Sequence, residues 1–128
     1  MVLLTIITAK LNAQSLTWLG TLGGNTSSAS DVSDDGSVVA GVAQDSGGLN
    51  KAFVWQRITG KLTGLGTFGG NYSSAAGVTG NGGTIAGTAR DSLFEYRAFF
   101  SVNFIKTDLD LTRNGSTYAN GISHAGST

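Results

Sequence analysis

The sequence predicts an all-β protein made of tandem repeats, and three observations support this prediction. A block of seven residues, LGTLGGN with one change, begins at Leu19 and again at Leu65, 46 residues further on. Over residues 19–53, 18 of the 35 positions are identical to those 46 residues later, with no gap. Gly contributes 20 of the 128 residues while Pro and Cys are absent, which suits short strands joined by tight turns.

Each repeat contains four candidate strands. In the first repeat they cover residues 29–33, 37–43, 52–55 and 62–65. A turn is predicted at residues 34–36, and a second at residues 69–71 leads into the next repeat, because Gly accepts the positive φ that such turns require. No stretch has a helical period. Four strands in about 46 residues match one β-propeller blade, which is the predicted architecture, with a β-solenoid or a β-sandwich as the alternative.

The repeats set the predicted domain organisation. Residues 14–128 hold two and a half repeats, at about 19–64, 65–107 and 108–128, and the last of them is incomplete. Between the first and second repeats, the aromatic residue retained at the 46-residue offset is Phe53, which returns as Phe99. We therefore expect them to occupy equivalent buried positions, packed against apolar side chains of their own repeats, namely Val39, Val42 and Ile85.

Residues 1–13 are predicted to be a signal peptide whose true start lies upstream. An apolar run at residues 2–7 is followed by small and polar residues, with Ala13 in the position before a cleavage site. The run is too short to cross a bilayer, which needs about 20 residues. The alternative is a first β-strand of the domain. Export is favoured because the repeats begin only after Gln14, so a secreted or cell-surface location is expected.

The composition argues against several classes of function. Eight basic and eight acidic residues leave a formal net charge of zero, so no nucleic-acid partner is expected. The absence of Cys removes thiolate metal sites, and His124 is the sole His, predicted to lie on the surface. A GxGxxG match at residues 64–69 is not followed by a helix, as dinucleotide binding requires. We predict no catalytic residue, no metal site and no cofactor.

Carboxylates offer two weaker possibilities. Asp31, Ser33 and Asp35 have the spacing that begins a calcium loop, but the second repeat lacks both carboxylates, and a solvated hairpin turn is the favoured interpretation. In a closed propeller, carboxylates for acid–base work could converge from three positions, Asp31, Asp45 and Asp91.

The best candidate for binding is the loop between the second and third strands of each repeat. Its ends are retained between repeats while its centre changes completely, which is typical of a variable loop on a rigid scaffold. The alternative is that the acidic and basic ends of the loop pair across the hairpin. The candidate residues are Asp45, Ser46 and Lys51 in the first repeat, and Asp91, Ser92, Phe94, Tyr96 and Arg97 in the second.

Three sequence blocks together resemble the bacterial extracellular HAF-repeat family. They are LGTLGGN from residue 19, VSDDGSVVAG from residue 32 and AFVW from residue 52, and the resemblance covers nearly all of residues 16–128. It implies a secreted or surface protein whose activity is uncharacterised. The His-Ala-Phe that names the family is replaced here, because Lys51 and Arg97 stand where the family has His.

The sequence therefore favours a non-enzymatic extracellular or cell-surface repeat module. Its role is either structural or that of an adhesin-like protein that binds a ligand. Its expected partners are an extracellular protein or glycan and further repeats of the same protein, with no membrane span in this chain. The alternative is a fragment of a secreted carbohydrate-active hydrolase or lyase with a β-propeller fold.

Overall fold

A computed structural model describes residues 15–109 and 115–125, which form two four-stranded β-sheets. The predicted signal peptide, with Ala13, lies outside the described residues. The first sheet consists of β1 (Gly23–Val32), β2 (Val38–Asp45), β3 (Asn50–Gln56) and β4 (Lys61–Gly64). The second sheet consists of β5 (Gly69–Val78), β6 (Thr84–Asp91), β7 (Tyr96–Val102) and β8 (Ile105–Asp108). The all-β prediction is confirmed.

Both sheets are antiparallel meanders in which each strand pairs with the next one in sequence. The first three strands of the second sheet have the bounds of the first sheet shifted by 46 residues, whereas β8 follows β4 by 44. The difference arises in the last hairpin. Residues 57–60 connect β3 to β4, but Asn103 and Phe104 alone connect β7 to β8, both with positive φ as a two-residue hairpin turn requires.

The prediction of a turn at residues 69–71 is wrong, because these residues begin strand β5. A Cβ on Gly70 would lie 2.5 Å from the Asp91 carbonyl oxygen, so Gly is present here to let two strands approach closely. The first strand of each sheet is ten residues long and rich in Ser, Gly and Ala. Because Gly and Ala have low strand propensity, the sequence of these segments does not predict a strand of this length. Pairing with the next strand decides the length of the strand.

The main core lies between the two sheets, which pack face to face. Ala52 and Val54 project from one face of β3, and Phe99 projects from the facing side of β7. Side chains alternate between faces along a strand, so each sheet contributes every second residue. The buried members are Ala40, Ala52, Val54, Leu65, Ala75, Val78, Ile85, Ala89 and Phe99.

Phe53 and Phe99 are equivalent and buried, with 1% and 0% of their surfaces exposed, which confirms that part of the prediction. Phe53 belongs to a second, smaller cluster on the other face of the first sheet, where Val39 packs against it. Phe99 shares the main core with Ile85. The predicted contact of Phe53 with Val42 is wrong, because Val42 pairs with Ala52 and both project from the opposite face.

Residues 115–125 pack on the second sheet as β5 packs on the first. The Ala52 amide donates to Ser73 Oγ at 2.8 Å, and 46 residues later the Ala98 amide donates to Thr117 Oγ1 at 3.0 Å. Similarly, the Asp34 amide donates to the Gly80 carbonyl at 2.9 Å, and the Gly80 amide donates to the His124 carbonyl at 2.8 Å. One geometric step therefore relates the first repeat to the second and the second to the third.

Residues 118–123 of the incomplete third repeat contain no strand. Strand structure requires a hydrogen-bonded neighbour, and among the residues described no strand of a third sheet lies beside them. No helix within residues 15–109 or 115–125 is long and apolar enough to cross a membrane.

Candidate functional site

The loop after β2 is organised by the Asp45 side chain. Its Oδ1 accepts hydrogen bonds from the Gly47 and Leu49 amides, both at 2.9 Å. The Asp45 backbone completes the turn by accepting from Gly48 and donating to Leu49. Asp45 therefore closes a tight turn. Ser46 is exposed at its tip, and Lys51 is half-buried in β3.

The loop after β6 repeats this arrangement and adds an ion pair. Asp91 Oδ1 accepts from the Leu93 and Glu95 amides at 2.8 and 3.1 Å, and Oδ2 lies 2.9 Å from Arg97 Nε. Arg97 is 3% exposed and also contacts Glu95 at 3.0 Å. Partial burial acts to raise the pKa of Asp91, but the hydrogen bond from Arg97 and those from the two amides outweigh it, leaving this pKa lowered. Asp91 and Arg97 thus stabilise the loop itself.

The centre of the second loop presents apolar side chains to solvent. Phe94 is 59% exposed and Leu93 is 75% exposed, with Ser92 exposed beside them. Phe94 has a φ of 61°, and its counterpart in the first repeat is Gly48, with a φ of 78°. Phe94 therefore occupies a left-handed conformation that favours Gly.

Tyr96 belongs to a different surface from the other loop candidates, because it lies on the face of the second sheet covered by residues 115–125. Tyr72 meets its ring edge-on with centroids 5.9 Å apart, and Tyr118 lies over it at 5.0 Å with the planes tilted by 34°. Tyr118 is held there by its neighbours. The Thr117 amide donates to the Tyr96 carbonyl at 2.8 Å, and the Ala119 amide donates to Thr88 Oγ1 at 3.2 Å.

Arg90 completes this cluster. Its guanidinium carbon lies 4.5 Å from the Tyr96 ring centroid, and Nη2 donates to the Tyr96 hydroxyl at 2.9 Å. Nη1 reaches Asn71 Oδ1 at 3.5 Å, while Nε is buried and has no hydrogen-bond partner. No carboxylate of residues 15–109 or 115–125 pairs with Arg90. Arg90 is thus a half-buried cation that lies over an aromatic ring and has no carboxylate partner among the described residues.

Two recesses that share Tyr72 and Tyr96 in their linings lie beside this pair, and together we call them the tyrosine groove. One recess lies towards the loop of the first repeat, and its lining is Gly48, Leu49, Asn50, Asn71, Tyr72, Arg90 and Tyr96. The other is formed with the third repeat, and its lining is Tyr72, Ser74, Ala76, Thr88, Tyr96, Tyr118, Ala119 and Asn120. Among the residues that the structure describes, the polar part of this lining consists of tyrosine hydroxyls, amides, Ser and Thr hydroxyls and one guanidinium, with no carboxylate.

Sequence reasoning identified Tyr96 but missed Tyr72, Arg90 and Tyr118. A signal for two of them was present in the repeat alignment. The first repeat has Thr26, Gln44 and Asn50 where the second has Tyr72, Arg90 and Tyr96. All three changes replace a smaller polar side chain by an aromatic or cationic one, and the strand register brings them together. Tyr118 could not be found in this way, because the packing of residues 115–125 places it.

The carboxylates considered for catalysis or calcium binding support the backbone instead. Asp31 Oδ2 accepts from the Val78 amide at 3.0 Å and so joins the two sheets. Asp35 Oδ1 accepts from Ser33 Oγ and from the Ser37 amide, both at 2.9 Å. Asn81 makes the same pattern in the second repeat, with Thr79 Oγ1 at 2.7 Å and the Gly83 amide at 2.9 Å. Residues 33–37 therefore form a hairpin turn, which is the interpretation that the sequence favoured over a calcium loop.

Hydrogen bonds from the Ser37 side chain and amide, with Ser33 contributing less, lower the pKa of Asp35 to about 2. Because the folded-state pKa is depressed, its stabilising contribution is present above the unfolded value of about 3.9 and is lost as pH falls towards about 2. Asp35→Asn keeps the acceptor oxygen, as Asn81 does in the second repeat. We expect this variant to show a shallower loss of melting temperature between pH 4 and 2 than the wild type. Asn81→Asp should steepen the loss, and parallel curves for all three proteins would contradict this.

The GxGxxG match and His124 are the remaining features of the sequence analysis. Residues 65–68 of the GxGxxG match connect β4 to β5, so a strand and not a helix follows the motif. His124 is 70% exposed, and its Nδ1 lies 2.7 Å from Asp34 Oδ1, a contact between the first and third repeats.

Comparison with known proteins supplies no assignment. No family model matches the sequence, and no curated protein matches it.

Proposed function

We propose that this protein is a non-enzymatic, extracellular or cell-surface repeat module that binds a ligand in the tyrosine groove. The observation that carries the proposal is the groove itself. It lies on the second repeat, between the loop of the first repeat and residues of the third. Three of its side chains replace smaller polar residues of the first repeat on an otherwise equivalent sheet. A rigid framework with one altered surface is the usual arrangement of a binding scaffold.

The proposed scaffold is a propeller-like stack in which each four-stranded sheet is one blade. The support is the constant step between repeats, because the same hydrogen bonds join the first repeat to the second and the second to the third. Heterologous contacts of this kind continue until a ring closes or a solenoid forms. Export and surface exposure rest on the predicted signal peptide and on the resemblance to the HAF-repeat family.

The test compares the wild type with a variant that restores the first repeat's residues in the groove. The changes are Tyr72→Thr, Arg90→Gln and Tyr96→Asn. Labelled protein would be applied to arrays of glycans and of extracellular matrix proteins. We expect the wild type to bind a defined subset and the triple variant to lose that binding while keeping its β-type circular dichroism.

Ile58→Thr is the matched control, since Ile58 is 93% exposed in the β3–β4 hairpin and does not line the groove. It should bind as the wild type does. Equal binding by the triple variant and the wild type would contradict the proposed site.

A further inference from the structure

The chemistry of the tyrosine groove narrows the class of ligand, and this inference rests on the proposed function. We propose that the groove binds an acidic saccharide, with a sugar ring against the exposed ring of Tyr118 and a carboxylate at Arg90. The groove combines three features that this ligand requires. They are an exposed aromatic ring at Tyr118, neutral hydrogen-bonding groups in both recesses, and a cation with no carboxylate partner among the residues that the structure describes.

The exposed ring of Tyr118 offers a surface on which a sugar ring can pack. Tyr96 and Tyr118 are stacked at a tilt of 34°, and Tyr118 is 58% exposed, so part of its ring is open to a ligand. Sugar rings present C–H groups on one face, and these pack favourably on the electron-rich face of an aromatic ring.

The polar groups suit hydroxyls rather than a cationic or wholly apolar ligand. Asn50 and Asn71 line one recess, and Asn120 and Thr88 line the other. Amide and hydroxyl side chains can both donate and accept hydrogen bonds, as sugar hydroxyls do. Since no carboxylate within residues 15–109 or 115–125 lines either recess, a positively charged ligand would meet no countercharge from these residues.

Arg90 is the residue that we expect to favour an acidic sugar over a neutral one. It is half-buried, stacked on Tyr96, and has no carboxylate partner among the residues that the structure describes. By contrast, Arg97, on the opposite face of the same sheet, is paired with Asp91 and Glu95. A ligand carboxylate would supply the missing counter-ion through charge-assisted hydrogen bonds, which are about twice as strong as neutral ones.

The test uses a galacturonate oligosaccharide and its methyl-esterified counterpart, which keeps the ring and loses the charge. Binding to the full chain would be measured by calorimetric titration. We expect the acid form to bind at least about ten-fold more tightly than the ester, and Arg90→Gln to remove this difference while retaining the weaker binding to the ester. Arg90→Lys should restore part of the preference, and added salt should weaken binding of the acid form only.

Tyr118→Ala should weaken binding of both forms by about the same factor of up to ten, because stacking does not depend on the charge. Equal affinity for the acid and the ester, or an unchanged preference in Arg90→Gln, would overturn the inference. If the arrays instead show a protein or a neutral glycan whose binding the triple variant abolishes, the proposed function stands and the acidic-saccharide inference fails.

Discussion

Replacing Phe99 by Ala is expected to destabilise the protein by about 3–5 kcal/mol, because it empties a closely packed site between the two sheets. Phe99 is fully buried and meets Phe68 edge-on with ring centroids 6.3 Å apart. Its cluster includes Val54 of the first sheet and Leu65 of the connection between the sheets. Losing the ring therefore weakens the contact between repeats as well as the second sheet.

The measurement is chemical or thermal unfolding followed by circular dichroism. Phe104→Ala is the matched control, since Phe104 is 46% exposed and Ala would have the same positive φ. Phe104→Ala should lower the free energy of unfolding by well under half as much as Phe99→Ala. Phe53→Ala should also destabilise strongly, since Phe53 is 1% exposed in the equivalent position. Similar losses for Phe99→Ala and Phe104→Ala would show that the intersheet core does not depend on Phe99.

Replacing Gly87 by Ala should have an effect of comparable size through a steric conflict. Gly87 pairs directly with Phe99, whose ring covers the space that a side chain would need. An added Cβ would lie 2.3 Å from the Ser74 carbonyl oxygen and 2.7 Å from the Phe99 ring. The carbonyl belongs to the neighbouring strand, so it cannot move without disturbing the β5–β6 pairing. We expect a loss of about 3 kcal/mol or more, or failure to fold.

A second variant tests which contact dominates. Phe99→Leu replaces the ring by a smaller aliphatic side chain. In the Gly87→Ala background this change should not restore stability, because the conflict with the Ser74 carbonyl persists. Gly41→Ala should behave like Gly87→Ala, with the Ser28 carbonyl 2.1 Å from the added Cβ. Gly121→Ala is the control, as no atom lies within 4 Å and φ is not positive. Full stability of Gly87→Ala would mean that the strands are further apart than described.

The candidate loop shows why spacing alone could not separate a binding residue from a structural one. Asp45 and Asp91 are retained in both repeats, as expected of a functional residue, yet each accepts hydrogen bonds from two amides of its own turn. Retention between repeats is equally expected when a turn needs the same carboxylate twice. Only the directions of the side chains distinguish the two cases.

The sequence by itself determined the fold class, the 46-residue repeat and the equivalence of Phe53 and Phe99. The fold class follows from turn residues and short apolar runs, which can be read within one segment. The repeat and the equivalence of the two Phe residues follow from identity between two segments of the same sequence. The tertiary structure alone decided that β1 and β5 extend through Gly- and Ser-rich residues, because pairing with a neighbouring strand stabilises them. It also decided the tyrosine groove. Tyr72, Tyr96 and Tyr118 are far apart in sequence, and their rings meet because strand register and the packing of residues 115–125 place them on one face.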